Sequence, residues 1–383
     1  MKYIILIGDG MCDYPIAELD NKTPLEFAKI PNMNSIASGG TLGLVKTVPE
    51  GMSPASDVAN LAIFGYNPKQ YYTGRGPLEA ANIGISLKED EIAFRCNLIT
   101  ASESKLIDYS AGHITTKEAK QLIKSLDAQL GSDETRFYPG TSYRHITVIK
   151  NKGLKARCVA PHDITGRDFK KYLPKGEDAQ FLNALMSSSH AVLSKHEINQ
   201  VRIDLKENPA NMIWLWGQGK KPSLPGFKEK YGISGSVISA VDLIKGIARI
   251  TGLEAINVKG ATGYYDTDYK GKADAALESL KRKDLVYVHV EAPDEASHNG
   301  HLQEKLLAIE RFDQFVVGTI LNAFKERGDF RILLMPDHAT PLSLRTHTND
   351  SVCFAMYGKG IPASGSIGFN ESEAKKSGLV LED

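Results

Sequence analysis

The stretch YIILIGDG, residues 3–10, decides the fold, because a continuous apolar run ends abruptly at Asp9. Two later runs, LVYVHV at 285–290 and ILLM at 332–335, have the same character. Continuous runs of Ile, Leu and Val flanked by helical segments are typical of buried parallel strands. Each run is followed by candidate metal ligands: Asp9, then Asp294 with His298, then Asp337 with His338. The pattern predicts an open α/β sheet whose strand ends carry a two-metal centre.

Composition places the chain among ordinary globular proteins. It has 383 residues, of which 42% are hydrophobic and 24% charged, and this length suffices for two domains with full cores. Forty-six basic residues balance 46 acidic ones. Because the charges cancel, no global field favours nucleic acid or an anionic membrane surface. An anionic ligand must therefore meet local positive groups.

The cysteines and the N-terminal segment bear on the compartment. The four cysteines, Cys12, Cys96, Cys158 and Cys353, are far apart and form no C-x-x-C pair, which argues against a zinc knuckle or a disulfide scaffold. The apolar run before Gly8 is shorter than a signal peptide requires, and no stretch is long enough to span a membrane. We expect a cytoplasmic protein with no nucleic-acid or membrane partner. The sequence leaves open whether it forms a homo-oligomer.

The order of predicted elements indicates two domains. Residues 1–70 begin with alternating strands and helices, and 231–383 continue this alternation, with helices predicted at 237–250 and 302–327. Both ends therefore belong to one doubly wound sheet. Residues 71–230 differ, with alternating apolar and polar segments and a polar helix. We predict that 1–70 and 231–383 form a metal-binding α/β domain, and that 71–230 form an inserted α+β domain.

The spacing of two candidate ligands suits a metal ion. Asp294 and His298 are four residues apart just after Pro293, a residue that favours a first helical turn, so both side chains would lie on one helix face. They can hold one ion, with His347 available as a further ligand. A second ion could be bound by the candidates at the other two strand ends: Asp9, Asp337 and His338.

A purely structural interpretation competes with metal binding. A single Asp after a strand is commonly a helix cap, and a D-x-x-x-H pair arises by chance in many chains. Capping alone does not explain three strand ends that carry Asp or Asp-His. Clustered carboxylates cost free energy unless a cation compensates them, so the set as a whole favours metal binding.

Two serines are candidate nucleophiles in the segment EGMSPASD, residues 50–57. A hydroxyl at this predicted helix start would feel the positive helix end, which favours an alkoxide or a bound phosphate. Ser53 precedes Pro54, and Ser-Pro is the ordinary pattern of a helix cap and first turn. Ser56 has no such structural explanation. Coordination to a metal would make it a competent nucleophile toward phosphorus.

Nucleotide-binding motifs are missing from the sequence. The segment GDGMCD at 8–13 has Asp where a dinucleotide loop needs its third glycine, and no G-x-x-x-x-G-K-[ST] loop occurs. Most Arg and Lys side chains in proteins are simply solvated and bind nothing. The polar pair His162-Asp163 is a candidate for acid/base chemistry, but a loop turn explains it equally well. The candidate residues for binding a phosphorylated acid are Arg75, Arg95, Arg144, His145, His162, Asp163 and Lys259. Arg75, between two glycines, and Arg144-His145, before a predicted strand, are preferred.

Eight motifs together resemble one known family. They are GDG (8–10), PASDVAN (54–60), YTGRGP (72–77), DYSAG (108–112), YRH (143–145), GATGY (260–264), EAPDEA (291–296) and PDH (336–338). The chain resembles, over nearly its whole length, the cofactor-independent phosphoglycerate mutases of the archaeal type, within the alkaline phosphatase superfamily. The chain departs from the family pattern at Ala55 and Ser297, where glycine is usual, and at Ser351 and Cys353, where proline is usual. None of these departures removes a candidate ligand.

The resemblance implies a role for each candidate in a mutase of glycolysis and gluconeogenesis. It implies one metal on Asp294, His298 and His347, and another on Asp9, Ser56, Asp337 and His338. It implies a phosphoserine at Ser56 and an alkaline-phosphatase-like sheet domain. The inserted domain would hold the glycerate, and the two divalent ions would be Mn2+, with Mg2+, Co2+ or Zn2+ as alternatives.

The leading hypothesis is interconversion of 3-phosphoglycerate and 2-phosphoglycerate without 2,3-bisphosphoglycerate. The enzyme rival is a metal-dependent phosphotransferase or phosphatase on another small hydroxy metabolite, such as a homoserine kinase. The non-enzyme alternative is a metal-stabilised binding protein, in which Ser56 would have no chemical role.

Overall fold

The structure, a computed structural model, describes residues 1–325 and 328–382. The ends of the predicted helix 302–327 and of the predicted domain 231–383 therefore fall on Arg327 and Asp383, outside the described residues. The chain divides into two compact units, one formed by Met1–Tyr72 together with the chain from Leu224 onward, the other by Thr73–Ser223. In the described part of the chain, no helix is both long and apolar enough to cross a membrane.

The strands of the described residues are β1 (Lys2–Gly8), β2 (Thr41–Val45), β3 (Glu91–Ala101), β4 (Leu106–Asp108), β5 (Thr135–Thr141), β6 (Arg144–Lys150), β7 (Met212–Lys220), β8 (Gly235–Ile238), β9 (Glu254–Ile256), β10 (Leu285–Val290), β11 (Phe330–Met335), β12 (Val352–Gly358) and β13 (Val380–Leu381).

The α-helices of these residues are α1 (Pro24–Phe27), α2 (Pro31–Gly39), α3 (Ser56–Ile63), α4 (Pro68–Tyr71), α5 (Arg75–Asn82), α6 (Thr116–Leu130), α7 (Ala179–Leu193), α8 (Glu197–Asp204), α9 (Phe227–Tyr231), α10 (Asp242–Ile250), α11 (Tyr269–Leu280), α12 (Ala292–Asn299), α13 (Leu302–Arg311), α14 (Gly318–Phe324) and α15 (Glu371–Lys376). Short 3-10 turns cover Ala17–Leu19, Pro161–Ile164 and Phe169–Tyr172, and a π-helical segment, Phe312–Val317, joins α13 to α14.

The first unit contains an eight-stranded sheet in the order β13-β2-β12-β11-β1-β10-β8-β9. Its strands pair in parallel, except that β12 runs antiparallel to both β11 and β2. The central strand β1 lies between β10 and β11, and every residue of β10 is buried. Burial on both faces explains why these strands are continuous apolar runs rather than alternating ones.

The second unit contains a five-stranded antiparallel sheet in which β3 pairs with β4, β6 and β7, and β6 also pairs with β5. Its core packs the buried side chains of β3, such as Phe94 and Leu98, with Leu122 of α6 and Trp214 of β7. The predicted fold class, an α/β sheet with an inserted α+β part, is confirmed.

One predicted helix is partly wrong. Residues 237–250 were expected to be helical, but Val237 and Ile238 end strand β8, and the helix α10 begins only at Asp242. Both residues are buried, and both are paired on the two sides of β8, with β10 and with β9. A short apolar run next to a helix carries the same local signal as the helix itself, so the tertiary pairing decides its structure.

Candidate active site

The pairing of the three central strands brings the candidate ligands together. Gly8 of β1 is aligned with Val290 of β10, and Ile7 is aligned with Met335 of β11, so the three strands end at the same level. The residues that follow these ends are therefore neighbours although hundreds of positions separate them in the chain. They include Asp9 after β1, α12 with Asp294 after β10, and Asp337 with His338 after β11.

Asp294, His298 and His347 form the first cluster. The Nε2 atom of His298 lies 3.2 Å from Asp294 Oδ2, and that of His347 lies 3.5 Å from Asp294 Oδ1. The i, i+4 spacing on α12 places Asp294 and His298 on one face, as the sequence predicted. Although burial acts in the opposite direction, the two imidazoles hold the pKa of Asp294 well below its usual range.

The hydrogen bonds of the first cluster indicate why it needs a cation. The Nδ1 atom of His298 lies 2.9 Å from the Arg345 carbonyl oxygen, and that of His347 lies 3.3 Å from the Pro54 carbonyl oxygen. A carbonyl oxygen only accepts, so both Nδ1 atoms donate, and either ring, when it is not protonated, has its lone pair on Nε2. In the absence of a metal, burial is outweighed by the charge of Asp294, which raises the pKa of His298 to about 9, so a proton takes this position. These two Nε2 atoms are 2.9 Å apart. Two lone pairs facing each other are unfavourable unless a proton or a metal ion lies between them.

Asp9, Ser56, Asp337 and His338 form the second cluster. The Nε2 atom of His338 lies 3.0 Å from Ser56 Oγ, 3.4 Å from Asp9 Oδ1 and 3.6 Å from Asp337 Oδ2. Burial, followed by the charges of Asp337 and Asp294, raises the pKa of Asp9 well above its usual value. Burial lowers the pKa of His338 to about 4, so this ring is neutral at physiological pH.

The chemistry of these donors fits divalent metal ions. The side-chain atom Asp9 Oδ1 is buried and has no hydrogen-bond partner in the described part of the chain. Asp9, Asp294 and His338 also place ligand atoms within 4.8 Å of one another, so the two clusters are adjacent. Buried carboxylates mixed with imidazoles are a suitable ligand set for Mn2+, Co2+ or Zn2+. These residues can thus hold two neighbouring ions.

Ser56 is the first residue of α3, and the preceding Ala55 is the capping residue. Ser53 was interpreted structurally as the ordinary helix cap, and this interpretation is wrong, since Ser53 is exposed and lies outside the helix. The amide of Asn60, one turn further along α3, donates to the Ser56 carbonyl oxygen and to Asp337 Oδ2, at 2.8 and 2.7 Å. Asn60 also accepts a hydrogen bond from the Tyr287 hydroxyl. The candidate nucleophile and a candidate ligand are therefore held by one amide.

A buried histidine that was not predicted from the sequence lies beside the second cluster. The Nε2 atom of His289 lies 3.5 Å from Asp9 Oδ2 and 3.6 Å from Asp337 Oδ2, and its Nδ1 atom lies 3.3 Å from Glu291 Oε1. Glu291 in turn accepts a 2.7 Å hydrogen bond from the fully buried Lys272. A histidine inside the apolar run LVYVHV, followed directly by Glu291, was the available signal.

Six of the seven candidate substrate-binding residues lie in the unit Thr73–Ser223, while Lys259 is exposed in the other unit. Arg75 and Arg95 both donate to Glu79 Oε1, at 2.7 and 2.8 Å. Both guanidinium groups also lie over the ring of Trp216, at 5.6 and 5.1 Å. The sequence favoured Arg75 over Arg95, but both arginines belong to this cluster.

The other predicted residues of this unit surround the same cations. Arg144 has a buried Nε atom without a hydrogen-bond partner among the described residues. Burial, with the charges of Arg95 and Arg144, lowers the pKa of His145 to about 3, so this ring is neutral. The His162 ring lies 5.4 Å from that of Trp216, and its Nε2 atom is 3.7 Å from Asp163 Oδ1. The unit therefore contains a positively charged cluster suited to an anion.

The first cluster gives a prediction about metal content. Replacing Asp294 with Asn removes the carboxylate charge between two imidazoles, and we expect bound Mn2+ to fall toward one ion per chain. Elemental analysis after gel filtration measures this content. Asp274→Asn is the matched control, because Asp274 is an exposed carboxylate of the same unit whose one ion pair within residues 1–325 and 328–382 is the i, i+4 pair with the surface residue Lys270. Equal metal content in Asp294→Asn and wild type would contradict the assignment.

Comparisons with known proteins show which family the sequence matches. A model of the family described as 2,3-bisphosphoglycerate-independent phosphoglycerate mutase matches residues 37–199. The protein of that name from Methanosarcina acetivorans is 52% identical over 382 residues, which cover 99% of this chain and 96% of the relative.

Solved structures give the same result. A protein from Pyrococcus horikoshii superposes with a TM-score of 0.83 and 31% identity, covering 100% of this chain and 93% of that one. The cofactor-independent phosphoglycerate mutase from Thermoplasma acidophilum superposes with a TM-score of 0.65 and 27% identity, covering 100% and 96%. With half of its residues shared over its full length, the chain belongs to the 2,3-bisphosphoglycerate-independent phosphoglycerate mutase family.

Proposed function

We propose that this enzyme interconverts 3-phosphoglycerate and 2-phosphoglycerate through a phosphoserine at Ser56, without 2,3-bisphosphoglycerate. The observation that carries the proposal is the position of the Ser56 hydroxyl. It begins helix α3 and lies 3.0 Å from His338 Nε2, beside carboxylates and imidazoles suited to two metal ions. A hydroxyl in such a setting is a nucleophile for phosphoryl transfer.

Two half-reactions account for the isomerisation. In the first, Ser56 Oγ loses its proton and forms a bond to phosphorus, the bond from phosphorus to the substrate oxygen breaks, and that oxygen takes up a proton. In the second, the other glycerate hydroxyl loses its proton as its oxygen bonds to phosphorus, the bond from phosphorus to Ser56 Oγ breaks, and Ser56 Oγ takes up a proton. The bound metals would supply charge stabilisation for the transferring phosphoryl group and would lower the pKa of the serine hydroxyl.

The residues around Ser56 support this role. Asn60 bonds both the Ser56 carbonyl oxygen and the Asp337 carboxylate, which fixes the start of α3 relative to a proposed ligand. The neutral state of His338 leaves its Nε2 lone pair available as a ligand atom. We assign one ion to Asp294, His298 and His347, and the other to Asp9, Ser56, Asp337 and His338. Manganese is the proposed metal, as the family resemblance implies, with Mg2+, Co2+ or Zn2+ as alternatives that the same ligands could hold.

The inserted part of the chain, 71–230 by the sequence, is proposed to hold the glycerate between the two half-reactions. Its charges support this, because Arg75, Arg95 and Arg144 cluster around one carboxylate, Glu79. A carboxylate or phosphate of the substrate would find hydrogen-bond donors there. We extend the substrate-binding role to His145, His162, Asp163 and Lys259. The homoserine kinase alternative is not favoured, since relatives with half of their residues identical are named as mutases.

Substitution of the two serines tests the nucleophile. Ser56→Ala removes the proposed nucleophile with little change in volume, so we expect turnover to fall on the order of 10³-fold or more, with the fold retained. Ser53→Ala is the matched control, because Ser53 is exposed in the same segment, and its activity should stay near wild type. Coupled turnover assays and circular dichroism measure both. An inactive Ser53 variant beside an active Ser56 variant would reverse the assignment.

The second test concerns the reaction. Because the serine stores the phosphoryl group, purified protein with Mn2+ should convert 3-phosphoglycerate to 2-phosphoglycerate without ATP or added 2,3-bisphosphoglycerate. Enolase-coupled absorbance measures the product. With phosphate-labelled substrate and unlabelled free glycerate mixed, little label should enter product derived from the free pool. Extensive exchange would indicate that the glycerate leaves between half-reactions, and a requirement for ATP would contradict the mutase assignment.

A further inference from the structure

Thr340 lies between the two candidate metal clusters and belongs to neither. It is fully buried in the segment between β11 and β12. Its hydroxyl oxygen is 2.6 Å from Asp294 Oδ1 and 3.1 Å from His338 Nδ1. One hydroxyl group therefore touches a proposed ligand of each ion.

The direction of these two hydrogen bonds follows from the groups involved. Thr340 Oγ1 donates to Asp294 Oδ1 at 2.6 Å, and the carboxylate of a metal ligand carries no proton, so its oxygen only accepts. The single hydroxyl proton of Thr340 therefore goes to Asp294, and the threonine oxygen accepts from Nδ1–H of His338. That places the lone pair of His338 on Nε2, the atom that faces Ser56 and Asp9.

The backbone of Thr340 is held independently of its hydroxyl. Its N–H donates to the Cys12 carbonyl oxygen at 3.2 Å, and its own carbonyl oxygen accepts from Lys305 Nζ at 3.0 Å. Lys305 is fully buried and forms a 2.7 Å ion pair with Asp13. Because these contacts use only backbone atoms of Thr340, a change in its side chain leaves them in place.

Gly10 packs directly against the Asp294–Thr340 pair. A Cβ atom on Gly10 would lie 2.6 Å from Asp294 Oδ1 and 2.7 Å from Thr340 Oγ1, and the residue has a φ of +63°. Only glycine combines this backbone conformation with such a close approach. The Asp294–Thr340 hydrogen bond is thus packed on one side by the loop that carries Asp9.

We propose that Thr340 is a positioning residue that couples the two metal sites, orienting Asp294 in one and fixing which nitrogen of His338 faces the other. The inference rests on the proposed two-metal function. Hydrogen bonds to ligand side chains fix ring orientation and tautomer, and their loss lowers metal affinity about 10- to 100-fold. Loss of a single hydroxyl should therefore weaken both sites together.

The test compares Thr340→Val with Thr340→Ser by titration of metal-free protein with Mn2+ in a calorimeter. Val keeps the shape and the backbone contacts but removes the hydroxyl, so the dissociation constants of both sites should rise about 10- to 100-fold. Ser keeps the hydroxyl and should bind nearly as wild type does. Thr251→Val is the matched control, because Thr251 is also buried in this unit and, in the part of the chain that the structure describes, its hydroxyl bonds only carbonyl oxygens of α10, the helix that it caps.

Melting temperature in excess chelator separates positioning from folding. We expect metal-free Thr340→Val to melt close to metal-free Thr251→Val, while only the former loses Mn2+ affinity. Should the valine variant not fold, Thr340→Ala is compared with Thr340→Ser in the same way. Wild-type affinity at either site in the variant without the hydroxyl would overturn the coupling, as would a wild-type protein that binds no Mn2+. Failure of the proposed function is distinguishable, because it would leave two bound ions and no conversion of 3-phosphoglycerate.

Discussion

The structure depends on a concentration of buried negative charge at the ends of three parallel strands. Asp9, Asp294 and Asp337 converge there, and Glu291 lies next to them, all buried. Carboxylates removed from water repel one another and are costly unless cations compensate them. Lys272 neutralises Glu291, and His289 bridges toward Asp9 and Asp337, but Asp9 Oδ1 has no hydrogen-bond partner among the described residues. Two divalent ions are the simplest complement to this cluster.

The need to bring these buried carboxylates together accounts for the precise backbone geometry around them. The aligned ends of β1, β10 and β11 bring the carboxylates to one level, and Gly10 allows the first loop to pack directly against Asp294 and Thr340. Polar side chains then link elements that are distant in sequence, as Asn60 does between α3 and Asp337. Each such bond orients a proposed ligand, so the same contacts that satisfy buried polar groups also prepare the site for chemistry.

Much of this was predictable from local sequence. Continuous apolar runs identified the central strands, and Asp or His directly after them identified the residues that the sheet brings together. Local patterns failed where tertiary pairing decides, as at Val237 and Ile238, which belong to a strand and not to the following helix. His289, Asn60 and Thr340 were missed because each role also depends on a contact with a residue about 50 to 280 positions away in the chain. The sequence also could not show which arginines belong to the proposed substrate-binding cluster. Arg95 and Arg75 are equivalent there because both contact Glu79 and Trp216, which are distant in the chain from at least one of them.

The central claim is that two metal ions occupy this charge cluster, and anomalous diffraction tests it most directly. Crystals grown with Mn2+ and measured at the manganese absorption edge should show two anomalous peaks in the first unit. One should lie among Asp294, His298 and His347, and the other among Asp9, Ser56, Asp337 and His338. A single peak, or peaks bound elsewhere while these carboxylates remain unligated, would contradict the account.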